Sequence, residues 1–295
     1  MDVAIESPHV SLCASLLVAW RDVSLSARRN DTYVTDEARQ CGMRDILDAV
    51  AAGDLSPEAA EARLRGYATT EAGRFDAARE TRRGVPEAIL AAGKTPAETA
   101  DLAATSVETT GRAVVTRADD ETARTVDDGL PEVVAVDYDA RARTLVAHAP
   151  DFEPPALDAT VAVVTAGTSD APVAGEAAAI AREMGAEVEW LEDVGVAHLG
   201  RILDVLDPIR GADVVVVAAG REGALPTVVA GLVDTPVIGL PVSTGYGFGG
   251  DGEAALSGML QSCTVLSTVN VDAGFVAGAQ AGLVARAVDG RSRPD

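Results

Sequence analysis

The fold is set by residues 211–247, which read GADVVVVAAGREGALPTVVAGLVDTPVIGLPVSTGYG. This stretch contains two short aliphatic runs, at residues 214–218 and 237–240. Continuous runs rich in β-branched residues are typical of strands that are buried on both faces of a parallel sheet. Because each run leads into a turn of small or polar residues and then into a helical stretch, the pattern predicts repeated strand–turn–helix units.

The same pattern extends upstream of this stretch. Aliphatic runs at residues 161–165 and 188–191 are also followed by turns and helical stretches. Residues 156–290 are therefore predicted to form an α/β domain, with a doubly wound parallel sheet between two layers of helices. Ligands of such domains bind at the carboxyl ends of the strands, so the turns after the four runs are the first places to look for a site.

Residues 43–147 carry a different, mixed pattern. Apolar residues recur at helical spacing near the start, and Ser56 with Pro57 predicts the beginning of a second helix. Thr95 and Glu98 have the spacing of a capping box, which predicts a third helix. This segment is therefore expected to be a small α+β domain. Its strands are expected at residues 113–116, 133–136 and 144–147.

Two further segments lie outside these domains. Residues 148–155, HAPDFEPP, contain three prolines and are predicted to be the linker between the domains. Residues 1–42 show no sustained period of apolar residues. We expect residues 1–42 to be either disordered or not part of the translated chain.

Charge and composition exclude several classes of protein. The 295 residues include 46 acidic and 24 basic side chains, for a formal net charge of -22, so binding to nucleic acid is not expected. Hydrophobic residues make up 47% of the chain, which excludes disorder over most of it. The acid excess, with Lys94 as the only lysine, predicts a cytosol at high salt. A generic acidic protein from a GC-rich genome is the alternative.

The sequence also argues against membrane insertion, secretion and a structural metal. The longest uncharged run, residues 254–271, contains many polar residues, and the apolar residues 10–20 are too short to span a bilayer. Cys13, Cys41 and Cys263 are widely spaced, which indicates neither a disulfide framework nor a zinc site. A cytoplasmic protein that has no membrane partner is therefore expected.

The turn after the first run is a candidate anion site. It contains Gly167, Thr168, Ser169 and Asp170 and is followed by a helix. Glycine allows a tight turn, the hydroxyls can donate hydrogen bonds, and a helix N-terminus stabilises a phosphate or carboxylate. A plain capped turn, with Asp170 as the N-cap, accounts for the same residues.

Two later turns carry further candidates. The third run ends in Gly220, Arg221, Glu222, Gly223 and Ala224, which places a charged pair where a ligand would lie, although an exposed ion pair is the competing interpretation. The fourth run leads into the glycine-rich residues 241–252. Such a loop is a mobile lid, a close-fitting backbone cradle or simply flexible.

The roles of two further residues, Cys263 and His198, stay open. Cys263 follows a predicted helix and is either a nucleophile or a small buried hydrophobic residue. His198, in the turn after the second run, is either an acid–base group or a helix-terminus histidine, and the sequence does not decide between them.

Several segments together resemble one known family. They are VAVVTAGTSDAPVAGEA (161–177), DVGVAHLGRI (193–202), residues 211–247 and LSGMLQSC (256–263), with GVPEAILAAGKTPAETADLA (84–103) and YDARARTLV (138–146) upstream. In this order they resemble the LarB family of nickel-pincer cofactor biosynthesis, whose C-terminal domain is similar to PurE. The resemblance covers about residues 43–282 and implies a PurE/flavodoxin-like sheet.

The resemblance implies a specific reaction. The enzyme would carboxylate the pyridinium ring of nicotinic acid adenine dinucleotide at C5 and cleave the phosphoanhydride, giving pyridinium-3,5-biscarboxylic acid mononucleotide and AMP. Cys263 would supply a thiolate that adds to the ring, and Glu222 would orient the ring or accept a proton. The residues implied in substrate binding are Gly167, Thr168, Ser169, Asp170, Arg201, Gly220, Arg221, Gly223 and Ala224.

The resemblance also has implications for the cofactors, the co-substrate and the oligomeric state. No tightly bound cofactor or metal is expected, carbon dioxide or bicarbonate is the co-substrate, and a role for Mg²⁺ in the hydrolysis is left open. Resemblance to PurE suggests a homo-oligomer, an octamer. The sequence departs from the family pattern at one point. The family pattern has a histidine directly before the arginine, whereas here Gly200 precedes Arg201 and the histidine is His198. The alternatives are a PurE-type aminoimidazole ribonucleotide carboxylase or mutase and a non-catalytic nucleotide-binding module.

Overall fold

The first half of the chain begins with helices whose ends the sequence marks. In the computed structural model, which describes residues 43–53 and 55–289, α1 (Met43–Ala52) and α2 (Pro57–Arg65) form a helical hairpin. The hydroxyl of Ser56 caps α2 by accepting a hydrogen bond from the backbone N–H of Ala59 at 3.0 Å. The predicted capping box of Thr95 and Glu98 also forms, at the start of the third predicted helix.

A four-stranded mixed sheet organises the rest of this half. Its strand order is β3-β4-β6-β5, with β3 parallel to β4 and the other pairs antiparallel. A separate pair of two-residue strands precedes it. In chain order the elements are β1 (Ala68–Thr69), β2 (Arg74–Phe75), α3 (Arg79–Arg83), β3 (Ile89–Leu90), α4 (Pro96–Thr110), β4 (Arg112–Thr116), α5 (Asp120–Gly129), β5 (Ala135–Asp139) and β6 (Thr144–His148).

This half differs from the sequence prediction in several details, since β1, β2, β3, α3 and α5 were not predicted. Strand β5 starts at Ala135, two residues later than predicted, because the N–H of Val134 binds the carbonyl of Pro131 in a turn. His148 is the last residue of β6 and not the first residue of a linker. The predicted limits of the domains, at residues 43–147, 148–155 and 156–290, otherwise stay a prediction. The expectations for residues 1–42 lie outside the described residues.

The second half forms the predicted parallel sheet. Its five strands have the order β11-β10-β9-β7-β8, and every neighbouring pair is parallel. The order corresponds to 2-1-3-4-5, which is the flavodoxin-like order of doubly wound sheets. The elements are β7 (Thr160–Thr165), α6 (Ala171–Glu183), β8 (Glu187–Leu191), α7 (Gly200–Asp204), α8 (Leu206–Gly211), β9 (Val214–Ala219), α9 (Ala224–Ala230), β10 (Val237–Pro241), α10 (Glu253–Leu260), β11 (Ser267–Thr268) and α11 (Gly274–Val288).

Helices cover both faces of this sheet. Val161 and Val163 of β7 point to the face covered by α6 and α11, whereas Val164 points to the face covered by α7, α8, α9 and α10. The alternation is that of a pleated strand buried on both sides, which explains why the runs are continuously apolar. The three-layer α/β architecture is therefore confirmed. No helix within the described ranges is long and apolar enough to cross a membrane.

A buried ionic cluster joins the two sheets. Arg112, at the start of β4, is 3% exposed and contacts Glu183 of α6 at 3.2 Å and Glu80 at 2.6 Å. The Nε2 atom of His148 lies 3.0 Å from the same Glu183 carboxylate. Because these contacts link β4 and β6 to α6, they fix the small mixed sheet against the parallel-sheet half.

Candidate active site

The loop after β7 presents two hydroxyls at the carboxyl edge of the sheet. A short 3₁₀ turn at residues 168–170 leads directly into α6, and Thr168 and Ser169 are exposed. No hydrogen bond from either hydroxyl occurs within the described part of the chain. These hydroxyls and the N-terminus of α6 form the expected setting for an anion.

Asp170 lies inside this arrangement instead of facing solvent. The residue is 4% exposed, and its carboxylate accepts a hydrogen bond from the N–H of Gly167 at 2.8 Å and from the hydroxyl of Thr244 at 3.3 Å. Burial raises the pKa of Asp170, and hydrogen bonds from Gly167, Thr244 and the backbone of Gly220 oppose that shift. Asp170 makes no side-chain cap of α6. It ties together the loops that follow β7, β9 and β10.

Arg201, at the start of α7, is held in place by the loop that follows β8. The guanidinium contacts the Asp193 carboxylate at 3.2 Å, and both side chains are about half exposed. Asp193 is fixed in turn, because its N–H binds the hydroxyl of Thr165 at the end of β7 at 3.1 Å. Arg201 is thus held beside the loop that follows β7, with its charge accessible to a ligand.

His198 lies on the same loop and packs beside Gly200. A Cβ atom at position 200 would lie 2.6 Å from Cε1 of the His198 imidazole. The ring therefore takes up the volume next to residue 200, the position at which the LarB pattern has its histidine. His198 is exposed.

The turn after β9 is strained and closely packed. Arg221 has a φ of 48° and Gly223 a φ of 65°, and the N–H of Gly223 binds the carbonyl of Gly220 at 2.9 Å. A Cβ at Gly223 would lie 2.6 Å from the carbonyl oxygen of Ala255 in α10, so only glycine fits there. Backbone strain of this kind gathers at functional sites.

Arg221 forms no ion pair with any side chain of the described residues. Its guanidinium stacks over the ring of Tyr246 at 4.3 Å from the centroid, and Glu222 is exposed. This contact replaces the ion pair with Glu222 that the sequence leaves open. Because Tyr246 belongs to the glycine-rich loop after β10, the stacking brings that loop against the β9 turn.

The glycine-rich loop is anchored at its first residues. The N–H of Ser243 binds the carboxylate of Asp272 at 2.9 Å, and a Cβ at Gly245 would lie 2.7 Å from the N–H of Arg221. Further along, Tyr246 and Phe248 are exposed. The start of the loop therefore packs closely against the β9 turn, and the three interpretations of the loop, as a lid, a cradle for a ligand or a flexible segment, stay predictions.

Cys263 lies three residues beyond the end of α10 and is exposed. This exposure excludes the role of a small buried hydrophobic residue. A Cβ at Gly258 of α10 would lie 2.5 Å from the carbonyl oxygen of Glu222, so the turn that carries Glu222 packs against α10. The described residues make no hydrogen bond or ion pair between Cys263 and the loops at the carboxyl edge.

The small mixed sheet also reaches this edge, which the sequence interpretation missed. Arg141, in the turn between β5 and β6, donates to the carbonyl of Thr168 at 2.9 Å and to the Glu192 carboxylate at 2.6 Å. Arg117 donates to the carbonyl of Asp272 at 2.6 Å. For Arg141 the only sequence signal was the arginine-rich segment YDARARTLV (138–146), which shows the charge but not where it lies, and Arg117 lies outside that segment.

The arrangement suits an anionic ligand. Free hydroxyls at Thr168 and Ser169, the start of α6 and the cations of Arg201 and Arg221 can hold phosphate. No group of three or more His, Cys, Asp or Glu side chains in residues 43–53 and 55–289 could hold a metal ion.

Comparisons with known proteins agree with this architecture. A sequence model described as LarB/PurE-like N-terminal domain matches residues 67–149, and one described as AIR carboxylase matches residues 160–295. An uncharacterised protein of Methanocaldococcus jannaschii is 37% identical over 254 residues, which cover 83% of this chain and 97% of that protein. The chain therefore belongs to the LarB/PurE-like carboxylase family, in which a LarB/PurE-like N-terminal domain precedes an AIR carboxylase domain.

Proposed function

We propose that this protein carboxylates the pyridinium ring of nicotinic acid adenine dinucleotide at C5 and hydrolyses its phosphoanhydride. The products are pyridinium-3,5-biscarboxylic acid mononucleotide, for nickel-pincer nucleotide biosynthesis, and AMP. The observation that carries the proposal is the exposed thiol of Cys263 in the AIR carboxylase domain of a chain that also has the LarB/PurE-like N-terminal domain. Carbon dioxide or bicarbonate is the co-substrate that PurE-family enzymes use.

The thiol solves a specific chemical problem. A pyridinium carbon is electron-poor and does not attack carbon dioxide. Addition of the Cys263 thiolate at C4 forms a C–S bond and converts the ring to a dihydropyridine, whose C5 is an enamine-type nucleophile. C5 then bonds to carbon dioxide, its proton passes to a base, and expulsion of the thiolate restores the aromatic ring. Glu222 is our candidate for the base.

The loops at the carboxyl edge would bind the ribose-phosphate part of the substrate. Thr168 and Ser169 offer hydroxyls, and Arg201 offers a positive charge to the phosphate. Gly167, Gly220 and Gly223, with Ala224 at the start of α9, allow the backbone to approach the ligand. Arg221 would bind from the β9 turn. Asp170 acts by holding three loops together, because its carboxylate is already bonded within the protein.

The second candidate is a PurE-type carboxylase or mutase that acts on aminoimidazole ribonucleotide. The match of residues 160–295 to AIR carboxylase favours it. Neither Cys263 nor residues 67–149 would be needed for that reaction. A non-catalytic nucleotide-binding module would likewise have no use for the thiol.

We also propose an oligomeric state and a cellular setting for this protein. The PurE-like family is typically oligomeric, and we propose a homo-oligomer, an octamer, for this chain. Exposed apolar side chains on both sides of Cys263, Leu260 at 68% and Val265 at 95%, support a partner on this surface. The net charge of -22 supports a cytosol at high salt as the setting.

The decisive experiment compares Cys263→Ser with Ser262→Ala, a neighbouring change that keeps the thiol. Release of AMP and incorporation of labelled bicarbonate into nicotinic acid adenine dinucleotide are measured for both variants. We expect the wild type and Ser262→Ala to form both products and Cys263→Ser to form no carboxylated ring, because a serine hydroxyl is scarcely ionised near neutral pH. Since Cys263 is exposed, the change to serine should leave the fold intact.

A spectroscopic measurement tests the same step. The dinucleotide bound without bicarbonate should form a reversible C4 adduct, seen as a near-ultraviolet dihydropyridine absorbance that Cys263→Ser lacks. Full activity of the serine variant, or turnover of aminoimidazole ribonucleotide in place of the dinucleotide, would make the PurE-type reaction the better assignment.

A further inference from the structure

A cavity of about 520 Å³ lies between the β5–β6 hairpin and the outer side of α6. It extends from Ala171, the first residue of α6, to Glu183 in the last turn of that helix. Ala179 lines it with a small side chain, which leaves room between helix and hairpin, whereas at Gly175 the two approach closely, since a Cβ there would lie 2.6 Å from Cβ of Ala142. The volume is typical of a pocket for a small molecule.

The walls of this cavity suit a planar ring. Trp190 lines it from β8, the edge strand of the parallel sheet, and Val136 and Val146 line it from the hairpin. Every base has a flat π face, so an indole beside apolar walls favours stacking of a nucleobase. Asp137, also on the wall and exposed, can accept hydrogen bonds from ribose hydroxyls or from an amino group.

Cations lie at both ends of the cavity, which is notable in a chain of net charge -22. Arg182 lines one end, is exposed, and has no ion pair within residues 43–53 and 55–289. The acidic Glu183 beside it is already bound by Arg112 and His148. Arg182 is therefore available to a phosphate or to a base.

Arg141 connects the cavity to the candidate active site. It lines the cavity wall and also donates to the carbonyl of Thr168, in the loop to which we assign the ribose-phosphate. A ligand that passes Arg141 can occupy the loop and the cavity at once. The Nη2 atom of Arg141 is paired with the Glu192 carboxylate at 2.6 Å, and its Nε and Nη1, which make no hydrogen bond within the described residues, can donate to a pyrophosphate.

We infer that this cavity binds the adenylate half of the dinucleotide substrate, with the adenine against Trp190 and the pyrophosphate beside Arg141. This inference rests on the proposed function, which supplies a dinucleotide. One wall of the cavity comes from residues 135–148, within the segment matched to the LarB/PurE-like N-terminal domain. The small mixed sheet thus has a specific task, which is to provide a second nucleotide subsite next to an AIR carboxylase domain.

The test measures nucleotide binding to the full-length protein without any turnover. The chain has two tryptophans, so a Trp20→Phe background leaves Trp190 as the fluorescent reporter. AMP binding is measured by calorimetry and by quenching of Trp190 fluorescence. We expect saturable binding of AMP with quenching, and no quenching by nicotinic acid mononucleotide, whose ring belongs in the other subsite.

Two variants locate the site. Ala179→Phe fills the cavity and should abolish AMP binding, and Arg182→Gln should weaken it about tenfold by removing a charged hydrogen bond. Arg124→Gln, an exposed change in α5 outside the cavity, is the matched control and should bind AMP normally. Thermal melting of each variant verifies folding, and the exposed Arg182 keeps the test valid if Ala179→Phe unfolds.

The outcomes separate the two proposals. The adenylate subsite alone is overturned if Ala179→Phe and Arg182→Gln both bind AMP as the wild type does. It is also overturned if the protein carboxylates the dinucleotide but does not bind AMP. AMP binding that both variants disrupt supports the subsite even if the dinucleotide is never carboxylated, in which case the proposed function fails. When both hold, Arg182→Gln should raise the KM for the dinucleotide and leave kcat unchanged.

Discussion

The imidazole of His198 fills the space beside Gly200, where an added Cβ would lie 2.6 Å from Cε1 and 2.8 Å from Nδ1. The LarB pattern has a histidine at position 200, directly before the arginine. The structure therefore places an imidazole next to the position where the family sequence has one, although the residue that carries it has moved two positions along the chain.

We expect His198→Ala to lower kcat/KM at least about tenfold, a modest part of what a general acid–base group contributes. The double variant His198→Ala/Gly200→His should recover most of the loss, because it returns an imidazole to the same volume. The measurement is carboxylation of the dinucleotide by each variant. Equal activity of His198→Ala and wild type would mean that the exposed ring has no part in the reaction.

A second prediction concerns the packing of the β9 turn. Gly223→Ala should lower the free energy of unfolding by about 1–3 kcal/mol more than Gly93→Ala does. Both glycines have positive φ, 65° and 83°, so both variants carry backbone strain, but a Cβ at Gly93 would meet nothing within 4 Å. Urea unfolding measures the difference, which isolates the contact with Ala255. If the two variants are equally stable, the turn does not need glycine for packing.

The ionic cluster between the two sheets gives a third prediction. Arg112→Met should cost about 3–5 kcal/mol, because His148 is then the one partner that the described residues leave to the buried carboxylate of Glu183. Arg65→Met breaks an ion pair whose side chains are both more than half exposed, and should cost less than about 1 kcal/mol. Denaturant unfolding compares the two. A small loss for Arg112→Met would show that the mixed sheet is held in place by apolar packing instead.

The parallel sheet could be predicted because its strands are buried on both faces, so that every residue of runs such as 214–218 had to be apolar. Strand β11 has two residues and no such run, and half of the residues of α5 are charged, with only Ala123, Val126 and Thr122 buried, so neither carried a clear signal. The positions of the loop residues followed from the topology. Arg141 could not be found in this way, because its place depends on how the hairpin packs against α6.

Asp170 shows a related limit of the sequence. Its position at the start of a helix suggested a cap or a ligand contact, and both interpretations are local. The structure shows a buried carboxylate that bonds to Thr244, 74 residues away along the chain. Contacts of this range depend on the assembled sheet, which brings the loops after β7 and β10 to one edge.

A fourth prediction follows from Glu176, which is 4% exposed. Burial raises its pKa above the ordinary value of 4.5, against the opposing charge of Arg117 and hydrogen bonds from Thr116 and Phe275. The folded state therefore holds the proton more tightly than the unfolded chain. The stability that this group contributes is present at low pH and is lost as the pH rises from about 4.5.

Glu176→Gln should remove this dependence. The quantity to compare is the difference in the free energy of unfolding, wild type minus Glu176→Gln. This difference should fall as the pH rises from 4.5, by at most about 1.4 kcal/mol per pH unit. Gln261→Ala, a change at an exposed residue that does not titrate, is the control and should give a difference that does not change over the same range. Urea unfolding at several pH values measures both, and a rising difference for Glu176→Gln would contradict the raised pKa.

The net charge of -22 gives the last prediction, which tests the proposed high-salt setting. At about 0.1 M salt the Debye length is roughly 10 Å, so repulsion between the carboxylates of this surface is only partly screened, whereas molar salt shortens it to roughly 3 Å. We expect the melting temperature to rise steadily as potassium chloride is raised from about 0.1 M to molar concentrations. Sodium chloride at equal ionic strength serves as the control, since screening depends on charge and not on the cation. A melting temperature that stays constant over this range would show that the acidic surface does not destabilise the protein at low salt. That result would favour a generic acidic protein over a halophilic one.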